Sequence, residues 1–220
     1  MKSLPFALIL LAAPATAQTL SLPGNCTAYL TVQSQGCTVG HYLTCTGDPA
    51  GYQHRVEHYS DGYDFINTID REGQWISSND VYAGGYDVLG QVQTDPLSLS
   101  NMIENGQDEM DFTMEHSNGA VTRYIGSERM TGETAVIDGI TLLRAEYTME
   151  SLDANGTQLW RAEGREFISP GWRIYFSEVT TWYDPGADPD VVASAPVEFI
   201  MPGEPGFLST VPINDCAPAE

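Results

Sequence analysis

Lysine is almost missing from this chain. Its only lysine is Lys2, so eight of the nine basic residues are arginines, set against thirty acidic residues and a net charge of −21. Phosphate backbones are bound by clustered Lys and Arg, so this balance excludes nucleic acid as a partner. It also disfavours docking on an anionic membrane face. What it leaves open is solubility at high charge, together with cationic ligands, metal ions or basic partners.

Long apolar runs are nearly absent too. The single one, Leu4 to Ala13, follows Lys2 and is closed by Ala15-Thr16-Ala17. A basic start, a short apolar core and an A-x-A end predict a signal peptide over residues 1–17, with the mature chain starting at Gln18. No other run is long enough to span a bilayer as a helix. Cys26 is preceded by Asn25 and polar residues, which argues against a lipid-anchored cysteine. The expectation is an exported protein, periplasmic or secreted, with one β-rich domain over 18–220 and no membrane span. Its oligomeric state is not readable from the sequence.

The common enzyme signatures are also missing. There is no G-x-S-x-G elbow, no H-E-x-x-H, no G-x-x-x-x-G-K phosphate loop and no C-x-x-C pair. No cofactor is implied, no residue is singled out as catalytic, and the chain leans towards being a non-enzyme.

Alternation and turn residues are abundant. Cys26 to Val32 and Cys37 to Cys45 alternate in hydropathy around Gln35-Gly36, which reads as a hairpin. Folded about that bond, Cys26 falls opposite Cys45, Ala28 opposite Leu43 and Val32 opposite Val39. This register favours disulfides Cys26–Cys45 and Cys37–Cys216; Cys26–Cys37 with Cys45–Cys216 is the competing pairing. Similar units run from Tyr52 to Tyr59, Tyr63 to Ile69, Gln74 to Tyr82, Glu109 to His116, Ala120 to Ile125, Ile140 to Leu152, Thr157 to Phe167 and Trp172 to Tyr183. Asn-Gly and Asp-Gly turns separate several of them, so the predicted fold is mainly β: an antiparallel meander forming a curved sheet or half-barrel. One short helix is expected over 95–105, with Asp95 as N-cap, Pro96 in its first turn and Gly106 ending it. After the acidic loop Asp184 to Asp190, Val197 to Met201 reads as a last strand.

Metal sites are not expected. His54 and His58 share a strand face but lie about 13 Å apart at roughly 3.3 Å per residue, too far to share one ion. Asp184, Asp188 and Asp190 lack the spacing of a calcium loop and read as solvated.

The aromatics of the last long strands point to a ligand. A turn at Ala154 to Thr157 sets Tyr147 opposite Gly164 and Met149 opposite Ala162, so Leu143, Tyr147, Met149 and Trp160 share one face. The even set from Trp172 through Ile174 and Phe176 to Trp182 reads as inward-facing. With Leu99 and Met102 on the helix as a lid, these side chains would line a site for a small apolar ligand. The outline resembles the exported half-barrels that cradle lipid groups, such as the periplasmic lipoprotein carriers; a closed lipocalin-like barrel would give the same pattern. Two other readings are a non-catalytic envelope interaction or structural module with a filled core, and a glycan hydrolase using paired carboxylates.

Overall fold

The computed structural model describes residues 18–60, 62, 64–81 and 84–216. The expected signal peptide, and Tyr63 and Tyr82 at the ends of two expected strands, lie outside the described residues. In chain order the elements are β1 (Cys26–Ser34), β2 (Thr38–Cys45), β3 (Gln53–Tyr59), β4 (Asp64–Ile69), β5 (Trp75–Asp80) and β6 (Gly85–Asp95). Then come α1 (Leu99–Asn105), β7 (Gln107–His116), β8 (Val121–Ile137), β9 (Ile140–Leu152), β10 (Gln158–Ser169), β11 (Ile174–Tyr183), β12 (Asp190–Ala193) and β13 (Pro196–Ile200).

β1 to β12 pair in sequence order, and β13 adds to the outer side of β1, making one 13-stranded antiparallel meander. Hydrogen bonds do not close it, since β12 and β13 are the two ends of the order. Yet only Ser194 and Ala195 separate those two strands in sequence. The Ser194 N–H donates to the Glu178 carbonyl on β11 at 3.2 Å, and the Gln35 N–H, just past β1, donates to the Ala195 carbonyl at 2.8 Å. The sheet therefore curls until its first and last strands meet, as cumulative twist and bulges allow.

Local chemistry sets the turns. Between β9 and β10, the Asp153 carboxylate accepts from the N–H groups of Asn155 and Thr157 at 2.8 Å, and Gly156 takes φ +80°, where a Cβ would be strained. After a one-residue register shift at Leu159, Tyr147 pairs with Gly164 and Met149 with Ala162. In the first hairpin Cys26 pairs with Cys45 and Ala28 with Leu43, but a bulge at Tyr29 shifts the rest by one, so Val32 meets Gly40 rather than Val39. The disulfides are Cys26–Cys45 and Cys37–Cys216, with no free cysteine among the described residues.

The core joins both ends of the sheet. Leu30, Val32 and Tyr42 from β1 and β2, with Phe199 from β13, pack on Leu142, Phe167, Ile174 and Phe176 from β9 to β11. The Phe176 ring centre lies 5.4 Å from that of Phe199 and 5.7 Å from that of Tyr42. Each such side chain contributes about 1.5–3 kcal/mol by leaving water. The opposite face of β1 and β2 is covered by the C-terminal tail. Gln33 donates to the Val211 carbonyl at 3.0 Å and accepts from the Ile213 N–H at 3.1 Å, while the Leu208 N–H donates to Thr31 Oγ1.

Three features differ from the sequence expectation. The helix begins at Leu99, not near Asp95, because β6 runs on to pair Asp95 with Asp111. Ser98 is the N-cap, its hydroxyl accepting from the Asn101 N–H, and Gly106 ends the helix in the left-handed region. β8 extends to Ile137 through a register shift near Gly132, and β6 and β12 are strands where none was expected. On β11 the even residues do not keep to one side. Phe176 pairs with Phe167 and Thr180 with Gly164, so the extra residue at Glu178 turns Phe176 and Thr180 to opposite faces.

Candidate functional site

The curl encloses a cavity of about 600 Å³ between the two ends of the sheet. Its walls include Tyr42, Arg55, Glu57 and Trp75 from the early strands and Tyr147, Phe176, Thr180 and Trp182 from the late ones. A recess of about 200 Å³ continues from it towards the β10–β11 hairpin and is lined by Asn67, Gly73, Glu166, Ile174 and Tyr175. Tyr42, Arg55, Trp75 and Ser177 line both. The two spaces thus adjoin across shared walls, as a larger chamber and a smaller recess.

The segment His54-Arg-Val-Glu-His58 supplies one wall. Strand alternation sends His54, Val56 and His58 to one side and Arg55, Glu57 and Tyr59 to the cavity side. Arg55 Nη1 lies 3.5 Å from Glu57 Oε1, and the Tyr59 hydroxyl donates to Glu57 Oε2 at 3.1 Å. Burial opposes the Arg55 charge, but Glu57 and the phenols of Tyr42 and Tyr59 outweigh it and hold the guanidinium protonated. Burial pushes the Tyr42 hydroxyl up to about 12, which keeps it neutral. Across the chamber, the Tyr147 hydroxyl is 2.7 Å from Thr180 Oγ1.

Two buried acids meet near Tyr175. Glu166, 9% exposed, lines the recess with Tyr175, and its Oε1 is buried without a hydrogen-bond partner; Glu128, 7% exposed, borders a separate pocket and faces the Tyr175 hydroxyl. Burial, then the neighbouring Asp108, pushes Glu128 up to about 7. Burial and Glu128 push Glu166 well above the ordinary carboxyl range, and burial followed by the two glutamates raises Tyr175. Asp108 is itself tied, accepting from the Ser98 N–H at 2.7 Å and from Asn101 Nδ2 at 3.1 Å. The Tyr175 ring lies against Gly73, where a Cβ would come within 2.6 Å of it.

Of the residues expected to line a ligand site, Tyr147, Ile174 and Phe176 border the chamber. Trp172 instead borders a shallow pocket beside Tyr29 and Tyr52. Met149 and Trp160 pack in a second core cluster with Phe112 and Tyr124. Leu99 and Met102 are fully buried in a third, with Leu143 against it, so α1 is packed down rather than spanning a mouth. Sequence reasoning missed Arg55, Glu57, Trp75, Glu128, Glu166 and Tyr175. Single acids and aromatics on alternating strands carry no signal until the sheet curls.

His54 and His58 have separate partners: Asp48 and Asp64, each at 2.6 Å. Cys45, Asp48 and His54 draw together, but the Cys45 sulfur is held in its disulfide and offers no thiolate. Asp184, Asp188 and Asp190 are exposed. No helix among the described residues is long and apolar enough to cross a membrane. None of the protein-family models, curated proteins or solved structures compared with this chain matches it.

Proposed function

We propose that this is an exported, soluble binding protein that holds a small ligand inside its curled sheet. The observation that carries the reading is the 600 Å³ chamber, walled by strands from both ends of the meander and extended by the recess. Its size falls in the range of small-molecule sites. Its walls are mixed: Tyr42, Trp75, Tyr147 and Phe176 offer apolar surface, while Arg55, Glu57, Asn67 and Glu166 offer polar groups. Such walls suit a molecule with an apolar body and a polar end better than a bare hydrocarbon. Two disulfides fit an oxidising compartment.

The test fills the junction of the two spaces. Ser177→Trp is expected to abolish uptake of an environment-sensitive fluorescent amphiphile while leaving the far-ultraviolet circular dichroism of the sheet intact. Equal uptake by the parent and the variant refutes the chamber as the site. If the parent takes up no probe, the carrier reading fails and the non-catalytic envelope module takes its place.

A further inference from the structure

The recess holds two buried oxygens, Glu166 Oε1 and the Tyr175 hydroxyl, with no protein cation paired to them. Among the described residues, the arginine ion pairs go to Glu57, Glu72, Asp111, Glu133, Glu146, Glu163 and Glu178; none reaches Glu128 or Glu166. Arg55 lines the recess as well, but its charge is matched by Glu57 on its own strand. Glu166 Oε1, on a residue more than nine-tenths buried that lines the recess, is left without a donor. Buried carboxylates are costly unless something compensates them. A proton is one such compensation and a ligand cation is the other. An ammonium group carries three donors, enough for Glu166 and the Tyr175 oxygen together.

We propose that the recess at Glu166 and Tyr175 is a subsite for the protonated amine of an amphipathic ligand whose apolar body lies in the larger chamber. The inference rests on the carrier reading and names the ligand class for the same site. The aromatic walls support it, because Tyr42, Trp75 and Tyr175 border the recess and aromatic faces attract organic cations. The large negative charge of the chain steers cations towards it and repels fatty acids.

The experiment is calorimetric titration at pH 7 with nonylamine and with nonanol, which share an apolar body and differ in the head group. The parent protein is expected to bind the amine about tenfold or more tighter than the alcohol. Glu166→Gln is expected to bring the two ligands to within about threefold, with alcohol affinity unchanged. Gln keeps the shape of Glu and cannot ionise, so the variant should fold; circular dichroism checks it. Equal affinity for amine and alcohol in the parent, or a preference that survives Glu166→Gln, overturns the subsite and leaves the carrier reading standing. Binding of neither ligand removes both.

Discussion

His41 and His58 meet edge to face on neighbouring strands, with ring centres 5.5 Å apart. Each is fastened at Nδ1, His41 to Thr31 Oγ1 at 3.0 Å and His58 to Asp64 at 2.6 Å, and each has a buried Nε2 without a partner. Burial, then His58, pulls His41 down from 6.5 to about 4. The unfolded chain therefore binds this proton more readily than the native one, and stability is lost as pH falls from 6.5 through 4. The full loss is on the order of 3 kcal/mol. Denaturant titrations across that window should show the slope in the parent protein and a flatter profile in His41→Asn.

The acid pair works in the opposite direction. Glu128 rises from 4.5 to about 7 on folding, so the native state keeps a proton that the unfolded chain has released. Its contribution is present below pH 4.5 and is lost as pH rises through 7, a change on the order of 3 kcal/mol at most, shared with Glu166. Glu128→Gln is expected to gain stability relative to the parent at pH 8 and to gain little at pH 4. A variant that tracks the parent at both pH values would show the carboxyl to be untroubled by its burial.

The two disulfides should differ in weight. They close 19 and 179 residues of chain, which corresponds in the chain-entropy account to about 3 and about 5 kcal/mol. Paired serine substitutions at Cys37 and Cys216 are expected to lower the guanidinium midpoint more than those at Cys26 and Cys45. The long bridge also keeps the tail on Thr31 and Gln33, so hydrogen exchange in β1 should rise in that variant alone.

Gly73 offers a local test of the recess. Its φ of +81° and the Tyr175 ring 2.6 Å from an added Cβ leave an alanine both strained and crowded. Gly73→Ala is expected to cost about 1–3 kcal/mol in chemical unfolding. An unchanged midpoint would mean that Tyr175 does not rest there.

Much of the fold is legible along the chain because its causes are local. Asp153 and Gly156 make their turn with groups two to four residues away, and a register shift at Leu159 then brings Tyr147 opposite Gly164. Gly106 ends α1 by itself. The start of α1 is less legible: Asp95 is as good a cap as Ser98, and pairing with Asp111 decides between them. Bulges are hidden for a similar reason. Nothing around Tyr29 or Glu178 announces the extra residue, and each reverses the faces of the strand residues beyond it.

The sequence by itself determined the acidic character, the β meander, its turns and the cysteines near in register, since composition, period-two alternation and turn chemistry act over a few residues. Only the tertiary structure decided that Ser194 and Ala195 bring the two ends of the sheet together, and that Arg55 and Glu57 face a chamber. It also decided that Glu128 and Glu166 are drawn together in the interior, with Glu166 Oε1 left without a partner. These outcomes depend on accumulated twist and on bulges that displace whole strands, so contacts such as Tyr42 with Phe176 are set by chain segments more than a hundred positions apart.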